Sequence, residues 1–229
     1  MPVRLQSPLH QMGGPVLNLE PDDSKPAAAV TGEPSVEPAR QRLLVCARDA
    51  FARHGFDGAS VRDITTAAEA NIGAINYYFG SKRLLYIAVM RALVGPLAPR
   101  IRFASITKRP PLDRVLDIVG AIFEHIRLNP DMPAIMTREL ASGREIAAPI
   151  RQVFGDALPI LVGVIAEGQR DGTIRPGDPI LLAFSTIAQP VYFNLARPII
   201  TAVANVDPLE ERVLEHVLSV VRAALEARP

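Results

Sequence analysis

Residues 71–82 read NIGAINYYFGSK and place three aromatic side chains in a row. The chain of 229 residues has no Trp, four Tyr and eight Phe, so a quarter of its aromatic rings lie in this one short segment. Gly80 suits the end of a short helical run, and Ser81 is a residue type that caps the start of a helix. The segment therefore predicts a short helix that is closed by glycine and followed at once by a longer one.

The residues before this segment predict two more helices. From Pro38 the apolar side chains follow the i, i+3, i+4, i+7 spacing of a helix, and Gly55 is placed to end it as a left-handed cap. Ser60 is the predicted N-cap of a second helix, VRDITTAAE, in which Asp63 replaces the usual glutamate of a capping box. The turn EAN separates the second helix from the third. Two short helices between two longer ones have the size of a helix-turn-helix, whose second helix enters the DNA major groove.

The remainder of the chain also predicts helices. The segment PLDRVLDIVGAIFEHIR places its apolar residues on one stripe, and the Asn-Pro or Asp-Pro pairs at 129–130, 178–179 and 207–208 predict three further helix starts. The predicted helix 179–203 is apolar almost all round, and the last helix runs to about Ala227. Because no segment alternates as a strand does, the predicted fold class is all-α.

These patterns divide the chain into three predicted parts. Residues 1–37 are rich in Pro, Gly, Ala and Ser and lack periodicity, which predicts a disordered N-terminal arm. Residues 38–94 form the predicted helix-turn-helix domain. Residues 95–229 form a second predicted helical domain.

The apolar content of 48% raises the question of a membrane span. The best candidate is segment 180–196, but five polar or proline residues interrupt it, which favours a helix buried on two sides. The N-terminus has no secretory signal, so we expect a cytoplasmic protein without a membrane partner. Cys46 is the single cysteine, which excludes an internal disulfide and a cysteine metal cluster.

Charge is distributed unevenly along the chain. Residues 1–39 carry net −3, residues 40–109 carry net +8, and residues 110–229 carry net −4. A basic block of this size is typical of a surface that binds a polyanion. The alternative at this point is that the arginines only solvate helix faces.

The sequence offers no signs of catalysis. It has no evident Ser, His and acid triad, no glycine-rich loop for phosphate and no metal-binding HExxH spacing. We therefore expect a protein that is not an enzyme and that has no cofactor or metal.

The segment ARDAFARHGFDGASVRDITTAAEANIGAINYYFGSKRLLYIAVM resembles the DNA-binding domain of the TetR family of transcriptional repressors. The resemblance rests on FARHGFDGAS, VRDI and above all NYYFGSK, and it extends from residue 40 to about residue 94. The later segments TRELASG and FSTIAQPVYF resemble the effector domain of the CecR-like branch. Two positions depart from the family pattern: Glu69 replaces the usual glycine of the turn, and Ile72 replaces a basic or hydroxyl residue.

The resemblance implies a set of DNA-binding residues. Tyr78 and Lys82 would meet phosphates while Phe79 packs inward, and Ser60 at a helix N-terminus suits another phosphate. Exposed residues of the third helix would read bases. The full predicted set is Ser60, Arg62, Asn71, Ile72, Ala74, Asn76, Tyr77, Tyr78 and Lys82. The alternatives are that Ser60 is only a cap, that Tyr77 or Tyr78 only packs onto the first helix, and that Lys82 is solvated.

The resemblance also implies a C-terminal pocket for a small-molecule effector and a homodimer formed through the last two helices. The predicted pocket residues are Phe123, His125, Arg138, Glu139, Gln189, Tyr192 and Phe193; the alternative for the polar ones is a buried structural role. The expected function is a ligand-responsive, homodimeric repressor that binds a palindromic DNA operator and is released by its effector. The alternative is a helical interaction module whose basic block binds an acidic partner.

Overall fold

The computed structural model describes residues 36–227, with side chains from residue 38. This part of the chain contains eleven helices and, apart from one isolated bridge between Ile174 and Glu226, no strand pairing, which confirms the all-α prediction. The predicted arm, residues 1–37, lies outside the described residues except for its last two, which α1 includes. The helices are α1 (Val36–Gly58), α2 (Val61–Ala67), α3 (Ala74–Phe79), α4 (Lys82–Val94), α5 (Leu97–Ser105), α6 (Pro111–Leu128), α7 (Met132–Ala141), α8 (Ala148–Asp171), α9 (Pro179–Leu195), α10 (Arg197–Ala204) and α11 (Glu211–Leu225).

Helices α1–α4 form the N-terminal domain, which is a helix-turn-helix domain. Helices α2 and α3 are seven and six residues long, too short to be stable alone. Ile64 of α2 and Ile75 of α3 are fully buried against the longer helices, together with Phe51 of α1 and Leu85 of α4. Burying each such side chain contributes about 1.5–3 kcal/mol, so α1 and α4 are the platform that stabilises the short helices.

Serine side chains cap the starts of α2 and α4. The Ser60 hydroxyl accepts a hydrogen bond from the backbone N–H of Asp63 at 3.4 Å, and the Ser81 hydroxyl accepts one from Leu84 at 3.2 Å. Both predicted N-caps are therefore confirmed. Gly55 has a φ of 68°, as its predicted role requires, but its ψ of −178° lies outside the left-handed helical region. The chain consequently kinks there and makes one further turn before α1 ends.

The turn between α2 and α3 is tight although it contains no glycine at its left-handed position. Glu69 adopts a φ of 51°. The backbone N–H groups of Glu69 and Ala70 donate to the carbonyls of Thr66 and Thr65 at 3.1 and 2.9 Å. These two bonds are the Schellman pattern of a helix C-terminus. The turn therefore has the geometry that the family glycine would give, at a conformational cost of about 1 kcal/mol for a residue with a side chain.

Helices α5–α11 form the C-terminal domain. Helices α5, α6 and α8 pack on one another, and α9 and α11 cover α6. Fully buried branched side chains fill the centre, among them Ile118 and Val119 of α6, Ile165 of α8 and Val217 of α11. Asp178 caps α9 as predicted, because its Oδ1 accepts from the N–H groups of Ile180 and Leu181 at 2.8 and 3.2 Å.

Three predicted helix bounds in this domain were wrong. Helix α7 begins at Met132 rather than at the 129–130 pair, because Asn129 has a non-helical φ of −138° and ends α6. Helix α11 begins at Glu211, because Asp207 instead accepts a hydrogen bond within a turn, from Leu209 at 3.2 Å. The single helix predicted over 179–203 is two helices, bent by 63° after Leu195, where Pro198 in the first turn of α10 has no N–H to continue α9.

Among the described residues, two helical segments are long and apolar enough to cross a membrane by length and composition, and neither is the segment considered from the sequence. They are Lys82–Ser105, which comprises α4 and α5, and Ala148–Asp171, which is α8; the bent pair α9 and α10 satisfies the same test only when taken together. In the structure Leu85 and Met90 of α4 and Ile165 of α8 are buried within the helical body. Their apolarity is that of core helices.

Candidate DNA interface and apolar cavity

Helix α3 and the residue run before it present an exposed face. Asn71, Ile72 and Asn76 are exposed, and the Tyr77 side chain has 76% of its surface exposed. Ile75 points the opposite way and is fully buried. This face therefore exposes two large apolar side chains, Ile72 and Tyr77. Together with an amide side chain, these groups match what base edges offer in the major groove, where amides bond adenine and apolar groups contact the thymine methyl.

The remaining aromatic residues of NYYF are partly buried. Tyr78 packs edge-on against Tyr77, with ring centroids 4.8 Å apart, and both Tyr78 and Phe79 lie against the core. The guanidinium of Arg40 lies 5.2 Å from the Phe79 ring centroid. Ala74 is half-buried at the start of α3. The aromatic run thus joins an exposed face to the α1 platform, and Phe79 is on the inner side.

The predicted phosphate-binding residues lie at helix starts around this face. Ser60 is half-buried as the cap of α2, and Arg62 is exposed in the first turn of that helix. Lys82 begins α4, with its Nζ 4.7 Å from the Phe56 ring centroid and 3.4 Å from the carbonyl oxygen of Asp57. Lys82 is therefore held by protein contacts rather than only by solvent.

Two contacts near the turn could not be predicted from residue pattern alone. The Arg42 Nε of α1 donates to the carbonyl oxygen of Ala68, at the end of α2, at 3.2 Å. The Oδ1 of Asn71 accepts from the backbone N–H of Gly73 at 2.8 Å. The first bond ties the turn to the platform, and the second shapes the entry into α3. From the sequence, Arg42 was noticed only as part of the basic block, and Asn71 only as a residue predicted to be exposed near the third helix.

Helices α4 to α9 surround a partly open cavity with a volume of about 70 Å³. Its wall is built only from apolar side chains, contributed by six helices from α4 to α9. They are Val94, Leu97, Ile101, Ile122, Met132, Met136, Val153, Phe154, Ala157, Leu158, Leu161, Ile187 and Val191. Sites for drug-sized molecules have volumes of about 300–1,000 Å³, so this cavity has to expand before it can hold one.

The seven residues predicted for the effector pocket are absent from this wall, as the structure describes it in residues 36–227. Helix α9 contributes Ile187 and Val191, which share one face at the i, i+4 spacing. Gln189 and Phe193 are half-buried on other faces, and Tyr192 is exposed. The wall therefore includes different side chains of α9 from the predicted ones, because this cavity is apolar throughout, and the predicted set stays a prediction.

The other four predicted pocket residues also lie elsewhere. Phe123 is part of the buried core, and Arg138 is exposed on α7. His125 is buried, with its Nε2 2.7 Å from the carbonyl oxygen of Leu93 at the end of α4. Burial lowers the pKa of His125, and that effect is larger than the opposing effect of this hydrogen bond.

Glu139 is buried in a polar cluster between the two domains. Its Oε2 accepts from the Tyr86 hydroxyl of α4 at 2.8 Å and from Arg144 Nη2 at 3.2 Å, while its Oε1 accepts from the backbone N–H of Ala147 at 2.9 Å. Burial raises the pKa of the Tyr86 phenol, and the hydrogen bond to Glu139 adds to that effect. The phenol therefore stays protonated and donates. A buried carboxylate with three donors is well satisfied, and together with Tyr86 and Arg144 it also lines a cavity of about 90 Å³.

Arg144 extends this cluster to the end of α1. It pairs with the carboxylate of Asp57, and its guanidinium lies 5.0 Å from the Phe56 ring centroid. The Phe56 ring also lies 5.1 Å from the Tyr86 ring centroid. The cluster thus joins α1 and α4 of the N-terminal domain to α7 and the loop after it.

Together these features define a helix-turn-helix DNA-binding protein with a separate helical domain that lines an apolar cavity. Residues 43–89 match the family model described as bacterial regulatory proteins, tetR family, and residues 111–224 match the model described as tetracyclin repressor-like, C-terminal domain. The chain belongs to the TetR family of bacterial regulatory proteins. It is a transcriptional regulator, and the expectation of a ligand-responsive repressor is confirmed at the level of the family.

Individual relatives agree with this assignment. The chain is similar to the HTH-type transcriptional repressor NicS of Pseudomonas putida, with 28% identity over 157 residues that cover 67% of this chain and 74% of NicS. It is also similar to the HTH-type transcriptional regulator RutR of Escherichia coli K12, with 26% identity over 187 residues that cover 78% of this chain and 85% of RutR. A bacterial regulatory protein in the tetR family from Rhodococcus RHA1 has the same fold, with a TM-score of 0.71 and 18% identity over 83% of this chain and 98% of that one.

Proposed function

We propose that this chain is a homodimeric repressor that reads a palindromic operator with α3 and is released by a small apolar effector. The observation that carries the proposal is the exposed face of α3, which presents amide and apolar groups on a short helix packed against α4. We assign operator reading to residues 38–94 and effector binding and dimerisation to residues 95–229. Its place of action is the cytoplasm, where a bacterial operator lies.

In this proposal, the base edges are contacted by Ile72, Ala74, Asn76 and Tyr77. Asn76 has the best position for a specific contact, because it is exposed on α3 and an amide can form two hydrogen bonds with adenine. Asn71 would act beside it, at the entry into the helix.

In this proposal, the DNA phosphates are bound by Ser60, Arg62, Tyr78 and Lys82. These residues lie at the starts of α2 and α4 and at the end of α3, around the face that would read bases. Contacts of this kind fix the position of the protein on DNA without carrying sequence information.

The proposed dimer surface lies on α9 and α10, next to α11. Seven large apolar side chains of α9 and α10 are exposed: Ile180, Leu181, Phe184, Tyr192, Leu195, Ile199 and Val203. A row of this length on consecutive helices is typical of an interface. A second copy of the chain with the same patch would cover it symmetrically, and a two-fold dimer matches a palindromic DNA site.

The proposed effector enters the apolar cavity of the C-terminal domain. The wall offers no hydrogen-bonding side chain, so the buried part of the effector has to be hydrocarbon or aromatic. Because the cavity holds only about 70 Å³, the effector binds a more open conformation and shifts the population towards it. The operator affinity then falls by the ratio of effector affinities for the two conformations.

Selection of bound duplexes from a random DNA pool, at two salt concentrations, tests the proposal. We expect a palindrome whose half-sites are separated by about one helical turn or a multiple of it. If no sequence is enriched, or if binding depends on salt alone, the basic block is only a charged surface and the chain is an interaction module for an acidic partner. Light scattering of the free protein measures the dimer independently.

A further inference from the structure

Helix α7 contributes to the apolar cavity with one face. Met132 and Met136 lie one helical turn apart and both belong to the cavity wall. Ile135, between them in sequence, is fully buried. Any molecule that enlarges the cavity on this side has to displace these methionines, and with them α7.

The start of α7 also holds the N-terminal domain. Asp131, immediately before Met132, pairs with Arg48 of α1, and the Nε of Arg48 lies 2.6 Å from Oδ2 of Asp131. Both side chains are partly buried. A bidentate arginine–carboxylate pair of this kind fixes the orientation of the two side chains as well as the distance between them.

The end of α7 also contacts the N-terminal domain, at helix α4. Glu139 is 3% exposed and accepts hydrogen bonds from Tyr86 of α4, from Arg144 and from the backbone of Ala147. If α7 moves, the hydrogen bonds between these donors and the buried carboxylate break. Leaving a buried charge without its partners costs free energy, because little water is present to replace them.

We propose that Glu139 is the positioning residue of a latch, formed by Glu139, Tyr86 and Arg144, through which α7 couples the apolar cavity to the orientation of α3. Without an effector, the latch holds α4, and therefore the α3 that packs on it, in the arrangement that binds DNA. Filling the cavity displaces α7 and breaks the latch. This inference rests on the proposed function, because it names the route by which an effector lowers operator affinity.

The first test compares Tyr86→Phe, Glu139→Gln and their combination in the ligand-free full-length protein, with operator Kd as the readout. Each single variant is expected to raise Kd by about 5- to 150-fold, the usual range of coupling between sites. The double variant should raise Kd no further than the stronger single one, because both remove one interaction. Glu145→Gln is the matched control: it removes the same charge from an exposed residue that pairs with Arg151, and its Kd should stay within about twofold of wild type.

Thermal melting accompanies every variant. If Glu139→Gln melts below the assay temperature, Tyr86→Phe decides, because it keeps the ring in the core and removes only the hydroxyl. An unchanged operator Kd for Tyr86→Phe, or independent additive losses in the double variant, would overturn the latch.

The second test fills the cavity without an effector. A cavity of about 150 Å³ is known to hold benzene, so a phenyl ring at position 157 exceeds the 70 Å³ present and has to displace a wall. Ala157→Phe should raise operator Kd in the wild-type background and add little in the Tyr86→Phe background. Equal losses in both backgrounds would show that the cavity acts by another route.

A third measurement does not need DNA. The N–H of Ala147 is bonded to Glu139, so its hydrogen exchange should accelerate in Ala157→Phe relative to wild type if α7 leaves Glu139. Accelerated exchange in Ala157→Phe, together with a wild-type protein that selects no DNA, would refute the proposed function and leave the coupling between the cavity and Glu139 standing. Unchanged exchange together with normal operator binding would refute the latch alone.

Discussion

The two domains are held together by different kinds of interaction, and the difference matches their tasks. In the N-terminal domain, single polar contacts determine backbone geometry: Ser60 and Ser81 cap helices, and Arg42 ties down the turn at Ala68. In the C-terminal domain, long apolar helices pack around a cavity that has no polar group in its wall. Directional bonds suit a surface that has to match DNA within a fraction of an ångström, whereas apolar packing tolerates repacking around a ligand.

The largest expected effect is the loss of stability when the apolar packing of the C-terminal domain is disrupted. Ile165→Ala removes a fully buried side chain from the centre of α8 and should lower the free energy of unfolding by about 2–5 kcal/mol, measured by urea denaturation. Ile106→Ala is the control, because Ile106 is 72% exposed, and it should change stability by no more than about 0.5 kcal/mol. Similar losses in both variants would mean that the C-terminal core does not depend on close packing.

The next effect distinguishes two kinds of DNA contact within the N-terminal domain. Asn76→Ala should cost about 1–3 kcal/mol at one base position and relax the preference there. Lys82→Ala should weaken binding to all sequences alike and reduce the slope of log K against log salt by about one. Binding measured on the selected operator and on single-base variants separates the two. An equal loss for Asn76→Ala on every sequence would remove its base-reading role.

A pH effect tests the boundary between the domains, where His125 of α6 meets the carbonyl of Leu93. Burial lowers the pKa of His125 in the folded protein below the value of about 6.5 in an unfolded chain. In the interval between the two values the unfolded state binds more protons, so the free energy of unfolding falls as pH drops below about 6.5. Urea denaturation at pH 7.5 and pH 5.5 measures this loss. The loss should shrink in His125→Gln and persist in His216→Gln, which changes an exposed histidine of α11.

The smallest effect sharpens the description of the turn. Glu69→Gly should raise the free energy of unfolding by about 0.5–1 kcal/mol. Glycine adopts the φ of 51° without steric strain, and this gain exceeds the cost of its greater freedom in the unfolded chain. The measurement is thermal melting beside Glu69→Ala, which should be neutral or destabilising. A lower melting temperature for Glu69→Gly would mean that the side chain itself stabilises the turn.

The same contrast explains which features could be predicted from the sequence. Ser60, Gly80 and Ser81 act within a few residues of their own position, so the short helices and their caps could be read locally. The cavity wall depends on which faces of six helices meet, and no local pattern distinguishes Ile187 and Val191 from their neighbours on α9. The contacts of Glu139 with Tyr86 and of Arg48 with Asp131 join residues 53 and 83 positions apart, and they follow from tertiary packing alone.

The bond between Asn71 and Gly73 has a consequence for the operator. An asparagine amide can usually either donate or accept, but the oxygen of Asn71 is already used by its own backbone. Toward a base pair its two amide hydrogens are free to donate, and its oxygen keeps one lone pair. Guanine, adenine and thymine each present an acceptor in the major groove, while cytosine presents only an amine. In the proposed complex, a base that accepts from these hydrogens would be guanine, adenine or thymine, and cytosine would be disfavoured there.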